Sequence, residues 1–178
     1  MNYFWGDIVL KLIHASVREY YDCFDGLKDL NCFTIVNAKL NPENYFTEIS
    51  DPDRPLYYLI DDDNPNYIIG FGSINAFFDC HQYIDIGNIG YGVRPSERCK
   101  GYGSEILKLL LLECEKLGMR DVCVSCSPDN VASQKIILKN GGMFEKAFSD
   151  DWEGEGLKYW IKLRPRIVVK VLNLLGIN

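Results

Sequence analysis

The chain has 178 residues, of which 47% are hydrophobic and 13% aromatic, a composition that supports one folded domain with a sizeable core and argues against disorder. Its formal net charge of -6 disfavours nonspecific binding to nucleic acid, because nucleic-acid phosphates attract basic proteins. The same charge favours the approach of a cationic partner such as an amine.

The number of cysteines and the first residues of the chain bear on the cellular compartment. Seven cysteines, an odd number spread through predicted helices and strands, indicate reduced thiols and a cytoplasmic protein. The first residues show no charged leader or cleavage site, and no apolar run reaches about 18 residues, so we predict no membrane span. We predict a single domain over residues 1–165 and a tail over residues 166–178. The tail packs on the domain, pairs with a second subunit in a homodimer, or contacts a membrane surface.

The N-terminal part of the sequence predicts one strand followed by helices. The run Ile8–Ile13 is rich in β-branched residues and predicts the first strand. Ser16 is placed to cap a helix that ends near Leu30, and the proline after Asn41 is typical of another helix start. These helices are candidates for one wall of a substrate-binding cleft.

Two aromatic and β-branched runs, Leu56–Ile60 and Tyr67–Asn75, predict an antiparallel hairpin with a polar connection. The connection contains three consecutive aspartates. We interpret them as a solvated turn and predict no metal site, because no partner ligands follow at the spacing of a known metal loop.

A third strand is predicted over Tyr83–Val93, where three glycines indicate a bulge or a close backbone approach. Further elements follow in the order helix, strand, helix, strand, strand, with predicted bounds Ser104–Leu117, Asp121–Ser127, Asn130–Lys139, Met143–Phe148 and Gly156–Leu163. A strand, a loop, a helix and another strand in this order predict one parallel pair with a crossover helix.

The loop between Val93 and the first of these helices has the properties of an anion-binding site. Gly101 and Gly103 permit backbone angles and close approaches that other residues resist. Successive amides can then point at one phosphate, and the following helix adds its unpaired first-turn amides and the positive end of its dipole. Arg98 and Lys100 add positive charge. The loop therefore predicts a pyrophosphate site built mainly from backbone.

Spacing excludes two well-known phosphate loops. The nucleoside triphosphate loop needs Gly, four residues and then Gly-Lys-Ser/Thr, which does not occur in this sequence. The dinucleotide fingerprint fails because Ile106 occupies the position of its third glycine, where close helix packing demands Gly or Ala.

The remaining pattern, Arg98-x-x-Gly101-x-Gly103 between a strand and an amphipathic helix, resembles the acetyl-CoA motif of the GNAT acyltransferase superfamily. The resemblance covers roughly Leu56 to Leu163, since a second strand, a second helix and a Lys-Asn-Gly-Gly run follow in the order that this family uses. It implies an α/β domain of the α+β type. Its central sheet would be mixed and mostly antiparallel, with about six to seven strands, one parallel splayed pair and flanking helices.

The resemblance also implies that acetyl-CoA is the co-substrate and that an amine is the acceptor. Backbone amides of the loop would hold the pyrophosphate, while residues of the neighbouring strand and of the second helix would bind the pantetheine arm. The cofactor-binding residues expected on this basis are Tyr91, Val93, Arg98, Cys99, Lys100, Gly101, Tyr102, Gly103, Ser104, Asn130 and Ser133.

The proton donor and the base are less clearly marked. Many family members carry a tyrosine four residues after the position of Ser133, where this chain has Ile137. Tyr159, Tyr91 or a water molecule are the candidates to replace it. A family glutamate on the strand before the phosphate loop would fall near Gly87, and Asp85, which lies two residues earlier on the same strand face, is the first candidate base.

Other chemical groups offer alternatives. His81 and Glu145 are further candidate bases, and Cys126 with His81 could form an acyl-enzyme. The function predicted from the sequence is N-acetyl transfer from acetyl-CoA directly to a primary amine of a small molecule or peptide, without a metal. The competing predictions are a non-catalytic acyl-CoA-binding or sensing module, and a structural protein that retains only the fold.

Overall fold

The computed structural model describes residues 2–5, 8–14, 55–61, 64–76, 87–150 and 154–163. The strands and α-helices formed by these residues, in chain order, are β1 (Asn2–Trp5), β2 (Ile8–His14), β3 (Leu56–Asp61), β4 (Asn64–Ile74), β5 (Ile89–Val93), α1 (Tyr102–Lys116), β6 (Asp121–Cys126), α2 (Val131–Lys139), β7 (Met143–Asp150) and β8 (Gly154–Lys162). The helices predicted after Ser16 and Asn41, and the tail 166–178, lie outside the described residues. Neither α1 nor α2 has the length and apolar character needed to span a bilayer.

The first five strands form one antiparallel sheet in the order β1-β2-β3-β4-β5. The predicted hairpin between β3 and β4 is confirmed, with Leu56 opposite Ser73. Gly70 of β4 lies under α1, and a Cβ at this position would be 2.6 Å from the Ile106 Cδ1 atom. The absence of a side chain therefore lets the helix lie close to the sheet.

The last three strands form a separate antiparallel sheet in the order β6-β8-β7. The mixed α/β class with antiparallel sheets and flanking helices agrees with the prediction. The described strands nevertheless form two sheets rather than one sheet of six to seven strands. They also include no parallel ladder between β5 and β6, because these two strands meet at one end and are not paired along their length.

Asn88 lies at the point where the two sheets meet. Its backbone N–H donates to the Cys123 carbonyl oxygen over 2.7 Å, and its Oδ1 atom accepts from the Cys123 N–H over 2.8 Å. On the other side, its carbonyl oxygen accepts from Asn75 N over 2.7 Å and its Nδ2 atom donates to the Asn75 carbonyl oxygen over 2.9 Å. Asn88 is 4% exposed, so a buried polar residue connects β4 to β6 through satisfied hydrogen bonds.

The two helices lie against each other and end in the same way. Helix α1 lies on β4 and β5 and contacts α2, and it buries its leucines in the hydrophobic core. At its C-terminus, Gly118 N donates to the Glu115 oxygen and Met119 N to the Cys114 oxygen. Gly118 has a φ of 81°, and this combination is a Schellman motif. Gly141 and Gly142 end α2 with the corresponding bonds.

Candidate functional site

A cavity of about 670 Å³ lies between β5, the N-terminus of α1 and α2. All the cofactor residues predicted from the sequence line it except Lys100. They are Tyr91, Val93, Arg98, Cys99, Gly101, Tyr102, Gly103, Ser104, Asn130 and Ser133. The fold therefore gathers residues from one strand, one loop and two helices around a single space.

The loop that enters the cavity is anchored to β4 by Arg94. Its side chain is buried, its Nε atom donates to the Ile68 carbonyl oxygen over 2.7 Å, and its guanidinium lies 4.7 Å from the centre of the Tyr67 ring. The Arg94 N–H also donates to the Ile69 carbonyl oxygen over 2.9 Å. These contacts fix the position from which the chain turns into the cavity.

The loop reaches α1 through two left-handed backbone positions. Cys99 has a φ of 64° and Gly101 a φ of 90°. Gly101 is the N-cap of α1 and brings no side chain to its first-turn amides, which are the amides that lack acceptors within a helix. A Cβ at Gly103 would lie 2.8 Å from the Ile136 Cδ1 atom of α2. The N-terminus of α1 is therefore a backbone surface in close contact with α2 and open to the cavity.

The left-handed conformation of Cys99 gives a test of the loop geometry. A side chain with a Cβ is strained at this φ, whereas glycine is not. We expect Cys99→Gly to raise the free energy of unfolding by about 0.5–1 kcal/mol, because relief of about 1–2 kcal/mol of left-handed strain exceeds the roughly 0.5–1 kcal/mol that the entropy of glycine in the unfolded chain costs. Urea denaturation measures it, and a lower free energy of unfolding would contradict the left-handed geometry.

The charged side chains that line the cavity are Arg98, Lys135, Lys139 and Glu97. The cations outnumber the carboxylate although the whole chain carries a net charge of -6, so this cavity suits an anion. Sequence reasoning missed both lysines and the glutamate. A spacing of four residues within a predicted helix was the available signal for the two lysines, since it places them on one face. The Lys100 ammonium instead pairs with the Glu97 carboxylate at 2.9 Å.

At the α2 side of the cavity, the Tyr91 hydroxyl lies 2.8 Å from the Ser133 hydroxyl. Burial, despite the hydrogen bond with Ser133, raises the pKa of Tyr91 to about 12. Asn130 caps α2, since its Oδ1 atom accepts from the Ser133 N–H over 3.0 Å. Burial also raises the pKa of the Cys126 thiol, which lies next to Ser133. A protonated phenol therefore connects β5 to α2.

Apart from Tyr91, the candidate catalytic residues lie elsewhere or are not described. Tyr159 is 4% exposed in the core cluster and makes an edge contact with Phe144, and it does not line the cavity. Glu145 accepts a hydrogen bond from Trp160 Nε1 over 2.8 Å. Asp85 and His81 lie outside the described residues. Among the residues that are described, no cluster of three or more His, Cys, Asp or Glu side chains could hold a metal ion.

Comparisons with known proteins agree with this architecture. A family model described as an acetyltransferase (GNAT) domain matches residues 32–143, more than half of the chain. Comparison with curated proteins gave no match.

Solved structures share the fold. The GNAT domain of PAT from S. lividans has 11% identity and a TM-score of 0.67, over 87% of this chain and 91% of that one. SpeG, the spermidine/spermine N-acetyltransferase of Vibrio cholerae, has 14% identity and a TM-score of 0.65, over 92% and 95% of the two chains. An acetyltransferase of the GNAT family from Streptococcus pneumoniae has 13% identity and a TM-score of 0.63, over 87% and 99%.

The family match and the shared fold define an acyltransferase. More specifically, the chain belongs to the GNAT acetyltransferase family.

Proposed function

We propose that this chain transfers the acetyl group of acetyl-CoA directly to a primary amine. The observation that carries the proposal is the cavity at the N-terminus of α1, where glycine backbone lies beside the cations Arg98, Lys135 and Lys139. A pyrophosphate suits this combination, because helix N-terminal amides and the helix dipole favour a bound anion. The left-handed Gly101 supports the fit, since its backbone can turn the first amides of α1 toward a ligand, and Gly103 lets α2 lie close to the same helix end.

The residues around the cavity divide into two groups. Amides from Cys99 to Gly103 would hold the pyrophosphate, with Arg98 adding charge, while the Ser104 N–H donates to the Gly101 carbonyl oxygen over 3.1 Å. Asn130 and Ser133 on α2 would contact the pantetheine arm as it passes β5. Both groups would hold acetyl-CoA in a fixed orientation, which lets an amine bound beside it react as if the two were one molecule.

Tyr91 is the proton donor that the geometry supports best. Acyl transfer from a thioester releases a thiolate, which a nearby O–H group stabilises. Tyr91 lines the cavity, and its raised pKa keeps its hydroxyl protonated throughout the neutral range. Tyr159 also stays protonated, because burial raises its pKa, but its side chain lies in the core. Asp85 remains the proposed base that removes a proton from the attacking amine.

The acceptor is proposed as a primary amine on a small polyamine-like molecule, an amino acid or a protein N-terminus. The negative net charge supports a cationic acceptor. Spermidine is a sensible first compound to test, since one solved structure of the same fold is a spermidine/spermine N-acetyltransferase.

Calorimetric titration with acetyl-CoA, followed by a screen of amines for thiol release, tests the proposal. We expect binding, and release of CoA that accelerates with at least one amine. Tyr91→Phe should lower kcat by about 100-fold with little change in affinity for acetyl-CoA, whereas Tyr159→Phe, the matched control, should keep the rate. Asp85→Asn should also lower the rate. Equal rates for the two phenylalanine variants would exclude Tyr91 as the donor.

One observation favours a second candidate, an acyl-CoA-binding module without turnover. Tyr159 and Ile137 both lie in the hydrophobic core, at 4% and 0% exposure, so neither brings a proton donor to the cavity. Such a module would bind acetyl-CoA in the calorimeter and release CoA at the same rate with and without amines.

A further inference from the structure

Glu97 places a carboxylate in the wall of a cavity that otherwise suits an anion. Of the described residues that line this cavity, Glu97 is the acidic one, and it directly precedes Arg98. A carboxylate in this position opposes the binding of a phosphate-bearing ligand.

Both oxygens of this carboxylate are held in place. Oε1 accepts a hydrogen bond from the Tyr67 hydroxyl over 2.9 Å, and Oε2 pairs with the Lys100 ammonium at 2.9 Å. The Tyr67 ring in turn lies against the Arg94 guanidinium. The carboxylate therefore has a fixed position and does not turn freely into solvent.

The same contacts direct Lys100 away from the cavity. Its side chain is 53% exposed and does not line the cavity, although it comes between two loop residues that do, Cys99 and Gly101. A lysine side chain is long enough and flexible enough to reach a nearby phosphate when no other anion holds it. Glu97 thus competes with a bound phosphate for this cation.

Glu97 stays ionised at neutral pH. Burial by itself raises the pKa of Glu97, but the hydrogen bonds from Lys100 and Tyr67 outweigh it and keep the pKa below its usual range. The negative charge is therefore present whenever the protein is near neutral pH.

We propose that Glu97 is a binding-site residue that weakens the binding of coenzyme A by opposing its pyrophosphate and by withholding Lys100. The inference rests on the proposed function, in which the pyrophosphate occupies this cavity. It predicts that removing the charge tightens binding, which is the reverse of the usual result for a residue in a ligand-binding site.

Weakened binding has a catalytic reason. Acetyl-CoA and the product CoA carry the same pyrophosphate, so contacts to it stabilise substrate, transition state and product alike. Such uniform binding does not raise kcat, and tight binding of the product slows its release. A carboxylate at this end of the cavity reduces the binding free energy that comes from the pyrophosphate, which is a part of the ligand that does not react.

The test is calorimetric titration of the full chain with two ligands, CoA and pantetheine, which lacks the pyrophosphate and the nucleotide. Glu97→Gln keeps the shape of the side chain and an acceptor for Tyr67, and we expect it to bind CoA about threefold to tenfold more tightly, with pantetheine unchanged. Glu113→Gln is the matched control. Glu113 forms the same i,i+3 pair with Lys116 on α1 but does not line the cavity, so its affinities should not change.

Lys100→Ala gives an independent test, in which the affinity for CoA should change in the opposite direction. It leaves the Glu97 charge without its cation, so we expect CoA to bind about threefold more weakly while pantetheine is unaffected. Weaker or unchanged CoA binding by Glu97→Gln would overturn the inference, because the carboxylate would then act as a brace for the loop. A wild-type chain that binds no CoA would overturn the proposed function, and this inference with it.

Discussion

Gly101→Ala is expected to lower the affinity for acetyl-CoA by about 5- to 30-fold, since each factor of ten corresponds to about 1.4 kcal/mol. Gly101 has a φ of 90° at the N-cap of α1, and a side chain in this left-handed region costs about 1–2 kcal/mol. The loop relieves the strain by changing its backbone angles, which turns the first amides of α1 away from the ligand. Calorimetric titration measures the loss.

Gly118→Ala is the control for this change. Gly118 has a φ of 81°, lies at the opposite end of the same helix and has no atom within 4 Å of the position of a Cβ. The strain of the substitution should therefore be similar, about 1–2 kcal/mol in the free energy of unfolding, without an effect on the ligand. If both variants bound acetyl-CoA as the wild type does, the backbone of the loop would not be the anion site.

Asn88→Ala is expected to lower the free energy of unfolding by about 2–4 kcal/mol, because it removes two buried hydrogen bonds made by the side chain. These bonds connect β4 to β6 at the point where the sheets meet, so the loss also loosens the cavity between β5 and α2. Urea denaturation measures the change in stability.

Two variants separate the contributions. Asn88→Asp keeps an acceptor for the Cys123 N–H but buries a carboxylate against the Asn75 carbonyl oxygen, and we expect it to cost at least as much as Asn88→Ala. Asn130→Ala removes an exposed N-cap with one bond of 3.0 Å, which typically stabilises by about 1 kcal/mol. If Asn88→Ala cost no more than Asn130→Ala, Asn88 would not be the junction of the two sheets.

The elements with strong local signals were predictable from the sequence. Helix α1 was predicted over Ser104–Leu117 and spans Tyr102–Lys116, because its leucines repeat at helical spacing and Gly118 stops it. Strand β6 was predicted over Asp121–Ser127 and spans Asp121–Cys126. The short strand β1 was missed, since its four residues gain their conformation from pairing with β2.

The division into two sheets was not predictable in the same way. The two sheets are connected through Asn88, whose partner Cys123 is 35 residues away, and a single asparagine before a strand carries no signal of that pairing. The cavity illustrates both cases. Its loop residues are contiguous and form a motif, so their proximity followed from the sequence. The burial of Tyr159 and the pairing of Glu97 with Lys100 depend on packing against distant strands and on rotamer choice, which local patterns do not encode.

The way α1 begins has an evolutionary consequence. An anion site made from main-chain N–H groups depends on torsion angles, and most of the twenty amino acids supply the same N–H group. Mutation can therefore exchange side chains along such a loop while the ligand contacts persist, provided that the few positions with unusual backbone angles keep a residue that tolerates them. The fold as a whole tolerates such exchange, since solved structures with 11–14% identity to this chain share its architecture. What these proteins share is largely the path of the backbone, which a comparison of amino-acid sequences detects poorly.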